Sequence, residues 1–244
     1  MKLFGYAGTM HTPSFTESII RRLAEKCSEK GIITEQTIET SVTAPIELCT
    51  GCLGCYKNGI CHNDKKDSMG YLRQQLLDAD IIVIGSPVYI HDVSAAAKNF
   101  IDRLATWMYI YNLRGKTVIT VSSSTSNGNI FVDKYLGKIM KIMGGNVAYQ
   151  LAVTSLDTNE TLESKLNECC EKLSFALENG ITEPDKLQET YFLNNRINFA
   201  DSGFQGFIKD IWNENGFFGY EEYSNLFNDV LKEKKVNIRG GQNE

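Results

Sequence analysis

The chain opens with KLFGYA, a run from Lys2 to Ala7 with a single charge, closed by Gly8. A short apolar run ended by glycine predicts a buried strand and a turn. From Ser14 to Lys30 the pattern changes. Phe15, Ile19, Ile20, Leu23 and Cys27 recur at three- and four-residue spacing, which predicts an amphipathic helix that Gly31 stops. The alternation then repeats along the chain. Strands are predicted at Ile32–Thr40, Ala79–Ser86, Thr117–Ser122 and Asn146–Val153. Helices are predicted at Ser68–Asp78, Val93–Tyr109, Val132–Met143 and Glu160–Glu178. ADIIVIGS and TVITVS are continuously apolar, as strands buried on both faces are. Five strands alternating with five helices imply right-handed crossovers and a parallel sheet with helices on both faces. Pro87 is expected to end the third strand.

The pattern breaks after about residue 181. Residues 182–244 form a separate extension, rich in aromatics and mainly helical, appended to a core at 1–181. Tyr191, Phe204, Phe207, Trp212, Phe217 and Phe218 must pack somewhere, and two roles are open beside core filling. The extension can be a lid over a site, or an arm that contacts another subunit.

Composition narrows the function classes. At 42% hydrophobic and 23% charged, the 244-residue chain reads as an ordinary globular protein. A net charge of -5 and a pI near 5.4 offer no basic field for nucleic acid. No apolar run approaches the roughly 20 residues that span a bilayer. MKLFGYAGTM carries one Lys and too short an apolar segment for a signal peptide, so a cytoplasmic location with reduced thiols is expected.

Open parallel sheets bind ligands at the carboxyl ends of their strands. Three loops there carry suitable chemistry. In 8-GTMHTPSFT-16, hydroxyls and the N–H groups of a helix N-terminus suit a phosphate, while Ser14 or Thr12 can also cap the helix. In 85-GSPVYIHDV-93, Pro87, Val88, Tyr89 and Ile90 present an apolar and aromatic surface on which a flat ring can stack. In 122-SSSTSNGN-129, small polar residues can bond the edge of that ring. A phosphate loop, a ring-face loop and a ring-edge loop together describe a site for flavin mononucleotide (FMN). His91 stands near the expected ring as a candidate proton donor or substrate contact.

The stretch 49-CTGCLGCYKNGIC-61 places Cys49, Cys52, Cys55 and Cys61 at C-x2-C-x2-C-x5-C spacing. Gly51 and Gly54 let such a backbone curl so that thiolates can converge. The spacing leaves three readings open: an iron–sulfur cluster, free or disulfide-forming thiols, and zinc. Cys27, Cys169 and Cys170 fall in predicted helices as small buried residues.

GTMHTPSFT, and GSPVY followed by SAAAKNFIDR, resemble the phosphate loop and second flavin loop of the NAD(P)H-dependent FMN reductases and iron–sulfur flavoproteins of the flavodoxin-like superfamily. The resemblance covers about residues 1–180. It implies a flavodoxin-like three-layer α/β sandwich whose five-stranded parallel sheet is ordered 2-1-3-4-5. Thr9, His11, Ser14, Phe15 and Thr16 would hold the phosphate. Pro87, Val88, Tyr89 and Ile90 would lie along the isoalloxazine, and Ser122, Ser123, Ser124, Thr125 and Ser126 would contact its far edge. His11 stands where this family usually carries Arg, exchanging a permanent charge and a fork of donors for a single imidazole. The iron–sulfur branch places a [4Fe-4S] cluster on four cysteines spaced like Cys49, Cys52, Cys55 and Cys61.

Two activities follow from the resemblance. One is an FMN-dependent oxidoreductase that takes a hydride from NAD(P)H and reduces a small acceptor, such as a quinone, flavin, azo or nitro compound. The other is an electron carrier fed by ferredoxin, passing electrons through the cluster and FMN to oxygen, peroxide or a protein partner. Either would work as a homodimer or homotetramer.

Overall fold

Side-chain parity along the strands organises the fold. The computed structural model describes residues 1–179, 184–201, 203 and 205–240; of residues 179 and 233–240 the backbone alone is described. Strand β1 (Lys2–Ala7) sends Leu3 and Ala7 to one face and Phe4 and Tyr6 to the other, all of them buried. Strands β3 (Ile81–Tyr89) and β5 (Thr117–Ser124) do the same, with Ile81, Val83, Ile119 and Val121 on the first face and Ile82, Ile84 and Val118 on the second. Both faces of the sheet are therefore covered, as an all-parallel sheet requires.

With β2 (Glu35–Thr40) and β6 (Asn146–Thr154), the parallel strands lie in the order β2-β1-β3-β5-β6. That is the expected 2-1-3-4-5 order once a two-residue strand, β4 (Asp92–Val93), is set aside; β4 folds back antiparallel on β3. Helices α1 (Phe15–Glu29) and α7 (Asn159–Asn179) cover the first face, where Cys27, Cys169 and Cys170 are buried as expected. Helices α3 (Met69–Asp78), α4 (Ala95–Asp102), α5 (Trp107–Ile110) and α6 (Asn129–Ile142) cover the second.

Two expectations fail here. Pro87 does not end the third strand, which pairs with β5 through Pro87 opposite Ser123. The Gly85 carbonyl accepts from the Gly8 N–H, so residues 85 and 87 point their backbone polar groups towards β1. Strand β1 has ended by then, and no ladder bond is lost at a proline without an N–H. Nor is 93–109 one helix. After Asp102 the chain tightens into turns, with Leu104 bonding Ile101 and Trp107 bonding Leu104, before α5 begins.

The extension comprises α8 (Lys186–Ala200), α9 (Phe207–Glu214), a 3-10 turn at Phe217–Gly219 and α10 (Tyr223–Gly240). Asp185 caps α8 in a reciprocal pair with Gln188. Phe192, Trp212, Phe217 and Tyr223 are fully buried and join the second-face core around Tyr111. Polar anchors accompany them. Trp212 Nε1 donates to the Tyr109 carbonyl at 2.7 Å, Tyr223 Oη to the Gly144 carbonyl at 2.9 Å, and Asn195 Nδ2 to Tyr111 Oη at 2.7 Å. The 181/182 boundary and Phe204 lie outside the described residues. Among the described residues, no helix is long and apolar enough to cross a membrane.

Candidate functional site: a strand-end cleft and a four-cysteine loop

Sheet register brings the three loops together. Ala7 pairs with Gly85, and Ser86 and Pro87 pair with Ser122 and Ser123, so all three chains leave the sheet at the same level. A cleft of about 360 Å³ opens there, lined by Thr9, His11, Pro13, Ser14, Phe15, Thr16, Pro87, Val88, Tyr89, Ser123, Ser124, Thr125 and Ser155. Eleven of these thirteen were expected from sequence; Pro13 and Ser155 were not.

The first loop keeps donors free. Ser14 caps α1, its hydroxyl accepting from the Glu17 N–H at 3.4 Å. Thr9 Oγ1 accepts from the His11 N–H at 3.2 Å. The N–H groups of Ser14, Phe15 and Thr16 have no partner among the described residues and open on the cleft at the positive end of the helix dipole. Capping and anion binding thus coexist. Thr16 is less available than expected, because its hydroxyl bonds Ser123 Oγ at 2.6 Å and ties the first loop to the third. His11 Nδ1 lies 2.5 Å from the Pro13 carbonyl, and neither Lys nor Arg lines the cleft.

Two further contacts fix the loops. Ser94 Oγ donates to the Gly8 carbonyl at 2.5 Å and caps α4 by accepting from the Ala97 N–H. Gly8 itself leaves no room for a side chain, since a Cβ there would fall on Ala97. At the third loop the buried Asn129 donates to Ser122 Oγ and the Ser122 carbonyl, both at 3.0 Å, and to the Val153 carbonyl at 3.2 Å. Its Oδ1 accepts from Ser124 Oγ at 2.6 Å. This one side chain joins the ends of β5 and β6, a role that its place among the small polar residues of the third loop does not signal. Asp133 lies beneath, its carboxyl pushed up by burial, with the Ser122 hydroxyl acting in the opposite sense.

Three expected ring contacts are elsewhere. Ser122 is fully buried and occupied by Asn129, and Ser126 is exposed and does not line the cleft. Ile90 is fully exposed at the tip of the β3–β4 hairpin, where it and His91 both adopt left-handed backbone, at φ 50° and 58°. A two-residue hairpin needs positive φ at both positions, which is costly for a β-branched residue. His91 does not reach the cleft either. Its ring stacks on Phe131 with centroids 5.2 Å apart, and Nε2 lies 3.2 Å from Asn127 Oδ1, latching the second loop to the third. Among the described residues, none of the extension lines the cleft, so in a single chain Phe207, Trp212, Phe217 and Phe218 do not wall it.

The four-cysteine loop is anchored with equal care. Its stem is held by α4 through Cys49 N–H to Asn99 Oδ1 at 3.0 Å and Arg103 to the Glu47 carbonyl at 2.8 Å. Buried Arg103 also pairs with Asp67 at 2.5 Å and Asp64 at 2.9 Å. Helix α2 (Gly54–Asn58) carries Tyr56 against Tyr109, and Phe207 of α9 sits over Gly59.

Cys49, Cys55 and Cys61 lie near one another, and Cys52 stands apart. Among the described residues, no three His, Cys, Asp or Glu side chains gather as metal ligands would. Leu53, left-handed at φ 58°, starts α2 and separates the flanking thiols. Exposed Cys52 Sγ lies 3.4 Å from His62 Nδ1, and the Gly54 N–H and then the Thr50 hydroxyl hold its thiol below the usual range. Cys55 turns inward, where burial and then the nearness of Cys61 and Cys49 push its thiol up. In this arrangement Cys52 faces His62 rather than the other three thiols.

The family model described as NADPH-dependent FMN reductase matches residues 1–156. An iron–sulfur flavoprotein of Methanocaldococcus jannaschii is 29% identical over 130 residues, 52% of this chain and 65% of the relative. One of Clostridioides difficile is 29% identical over 140 residues, 56% of this chain and 61% of the relative. The chain therefore spans less than two thirds of these relatives. An FMN-dependent NADH:quinone oxidoreductase of Stenotrophomonas maltophilia is 37% identical over 86 residues, 30% of this chain and 44% of that protein. In fold the chain is similar to an azoreductase from Bacillus anthracis, with TM-score 0.54 and 12% identity, covering 70% of this chain and 97% of that one.

Proposed function

Because the chain belongs to the NADPH-dependent FMN reductase family, and is on that ground a flavin oxidoreductase, we propose that it takes a hydride from NAD(P)H and reduces a small acceptor such as a quinone, flavin, azo or nitro compound. The observation that carries this reading is the cleft in which three strand-end loops meet. The free N–H groups of Ser14, Phe15 and Thr16 would hold the FMN phosphate, with Thr9 and His11 beside them. Pro87, Val88 and Tyr89 would flank the ring, and Ser123, Ser124, Thr125 and Ser155 would bond its edge. FMN supplies hydride and one- or two-electron transfer, so the polypeptide needs no catalytic triad. Its work is to bind, orient and exclude water. In this reading residues 1–181 are the FMN-binding unit and 182–244 its extension, and a second copy of the chain closes the open side of the cleft. Anaerobic mixing with NADH or NADPH tests the proposal. The flavin released on denaturation should be FMN, and its absorbance should bleach within a turnover; protein whose bound FMN ignores both nucleotides would overturn it.

The names of the relatives favour a second reading, an iron–sulfur flavoprotein, which in this reading would be fed by ferredoxin. The position of Cys52, turned to His62 and away from the other three thiols, weighs against it. The absorbance spectrum of protein purified without oxygen separates the two, because a cluster absorbs where FMN does not.

A further inference from the structure

The extension carries a cleft that flavin chemistry does not use. About 500 Å³ in volume, it lies between α8 and α9 and is lined by Arg196, Ile197, Ala200, Lys209, Asn213 and Phe218. Helix α8 turns Phe192, Asn195 and Phe199 to the core, while its exposed side carries Leu193 and Ile197 among Lys186, Thr190, Asn194 and Asn198. Leu193 and Ile197, four residues apart, are both exposed there. Of the two, Ile197 forms part of the cleft wall with Ala200 and Phe218.

The charges define that ligand. Arg196 is half-buried, and its guanidinium has no hydrogen-bond or ion-pair partner among the described residues. Lys209 Nζ uses one donor on the Asp201 carbonyl at 2.7 Å and keeps two. No Asp or Glu lines the cleft among the described residues, although the chain as a whole carries a charge of -5. The Asp201 carboxylate is turned aside to the Gly203 N–H at 2.8 Å. A planar fork and an ammonium beside an apolar wall closed by Phe218 match a carboxylate with a hydrophobic tail. The volume lies within the roughly 300–1,000 Å³ of small-molecule sites.

We propose that the α8–α9 cleft binds a small amphipathic carboxylate, its head on Arg196 and Lys209 and its acyl or aromatic body along Ile197, Ala200 and Phe218. The site is separate from the flavin cleft and does not depend on the reductase reading.

Calorimetric titration of the full-length, FMN-loaded protein with decanoate tests it. One saturable site per chain is expected, with decanol binding at least tenfold more weakly. Arg196→Gln and Lys209→Gln should each weaken decanoate about tenfold, the loss of one charged hydrogen-bonding partner. Ile197→Glu, on an exposed position that cannot unfold the core, should abolish binding by placing a carboxylate in the cleft. Equal affinity for decanoate and decanol, wild-type affinity in these variants, or no saturable heat would overturn the proposal. So would binding only to phosphatidylglycerol vesicles and not to free decanoate, which would make the cleft a membrane contact.

Discussion

The strand-end cleft and the four-cysteine loop leave the same edge of one sheet, and both hold chemistry-bearing residues at short spacings. In the cleft, pairing of β1, β3 and β5 fixes where each loop begins, and hydroxyls bond one another so that backbone donors face outward. In the loop, the stem is fixed but each thiol meets its own surroundings: His62 for Cys52, the interior for Cys55. A motif tied to strand ends inherits its geometry from the ladder. A motif defined by spacing alone names residues without placing them.

The sharpest way to break this contrast is to unseat the cleft while leaving the loop intact. Gly8→Ala would drive a methyl into Ala97, 2.5 Å from its Cα and 2.7 Å from its backbone nitrogen. FMN binding should fall at least a hundredfold, and stability by about 3 kcal/mol as in severe overpacking. Flavin fluorescence titration and urea unfolding measure the two. Asn129→Ala comes next. Ser122, Ser124 and Val153 would lose their shared partner, costing about 2–3 kcal/mol and roughly tenfold in FMN affinity.

The converse change is Gly59→Ala. The new Cβ would lie 2.6–2.8 Å from ring atoms of Phe207, at φ 72°, and should cost about 1–2 kcal/mol. Cys55 and Cys61 should then react faster with a thiol reagent while FMN affinity is unchanged. If the two move together, the regions are not independent.

Acid should also release the loop first. Burial alone would raise Asp67, but the Arg103 bond and the Met69 and Glu47 N–H groups outweigh it and hold the carboxyl below its usual value. Its contribution is therefore complete above the unfolded value of about 3.9 and is lost as pH falls through the lower folded value. Dithiodipyridine, which reacts in acid, should show the half-buried Cys55 and Cys61 opening in that window before flavin is lost. The smallest expected effect is His11→Arg, which adds a permanent charge beside the helix N-terminus and should tighten FMN about three- to tenfold.

Much of the fold was legible because buried parallel strands must be continuously apolar, and the loops between them inherit their positions. The exceptions share a cause. Pro87 continues its strand because a neighbour has already ended, which no local pattern records. The break after Asp102 accompanies Arg103, drawn inward by Asp64 and Asp67 some 36 to 39 residues away in sequence. Asn129 was read only as one of the small polar residues of the third loop, and it pins two strands. Ile90 was read by residue type as a ring contact and His91 as a proton donor or substrate contact, but the hairpin leaves Ile90 exposed and His91 against Phe131. Long-range polar pairs, unlike apolar periodicity, leave no trace in a single sequence.

The burial of Trp212 and Tyr223 in the same core as Tyr111 bears on how the molecule melts. An appendage with its own core would come off in a separate, earlier step. Here the aromatic rings of the extension fill space between α5, α6 and their own helices. Pulling α8–α10 away would open a large void beneath the sheet, so neither part can lose order alone. Calorimetry should show one endotherm across the whole chain, with equal van't Hoff and calorimetric enthalpies. Cutting the chain near Glu183 would therefore yield two fragments dependent on each other for folding, which reassociate when mixed.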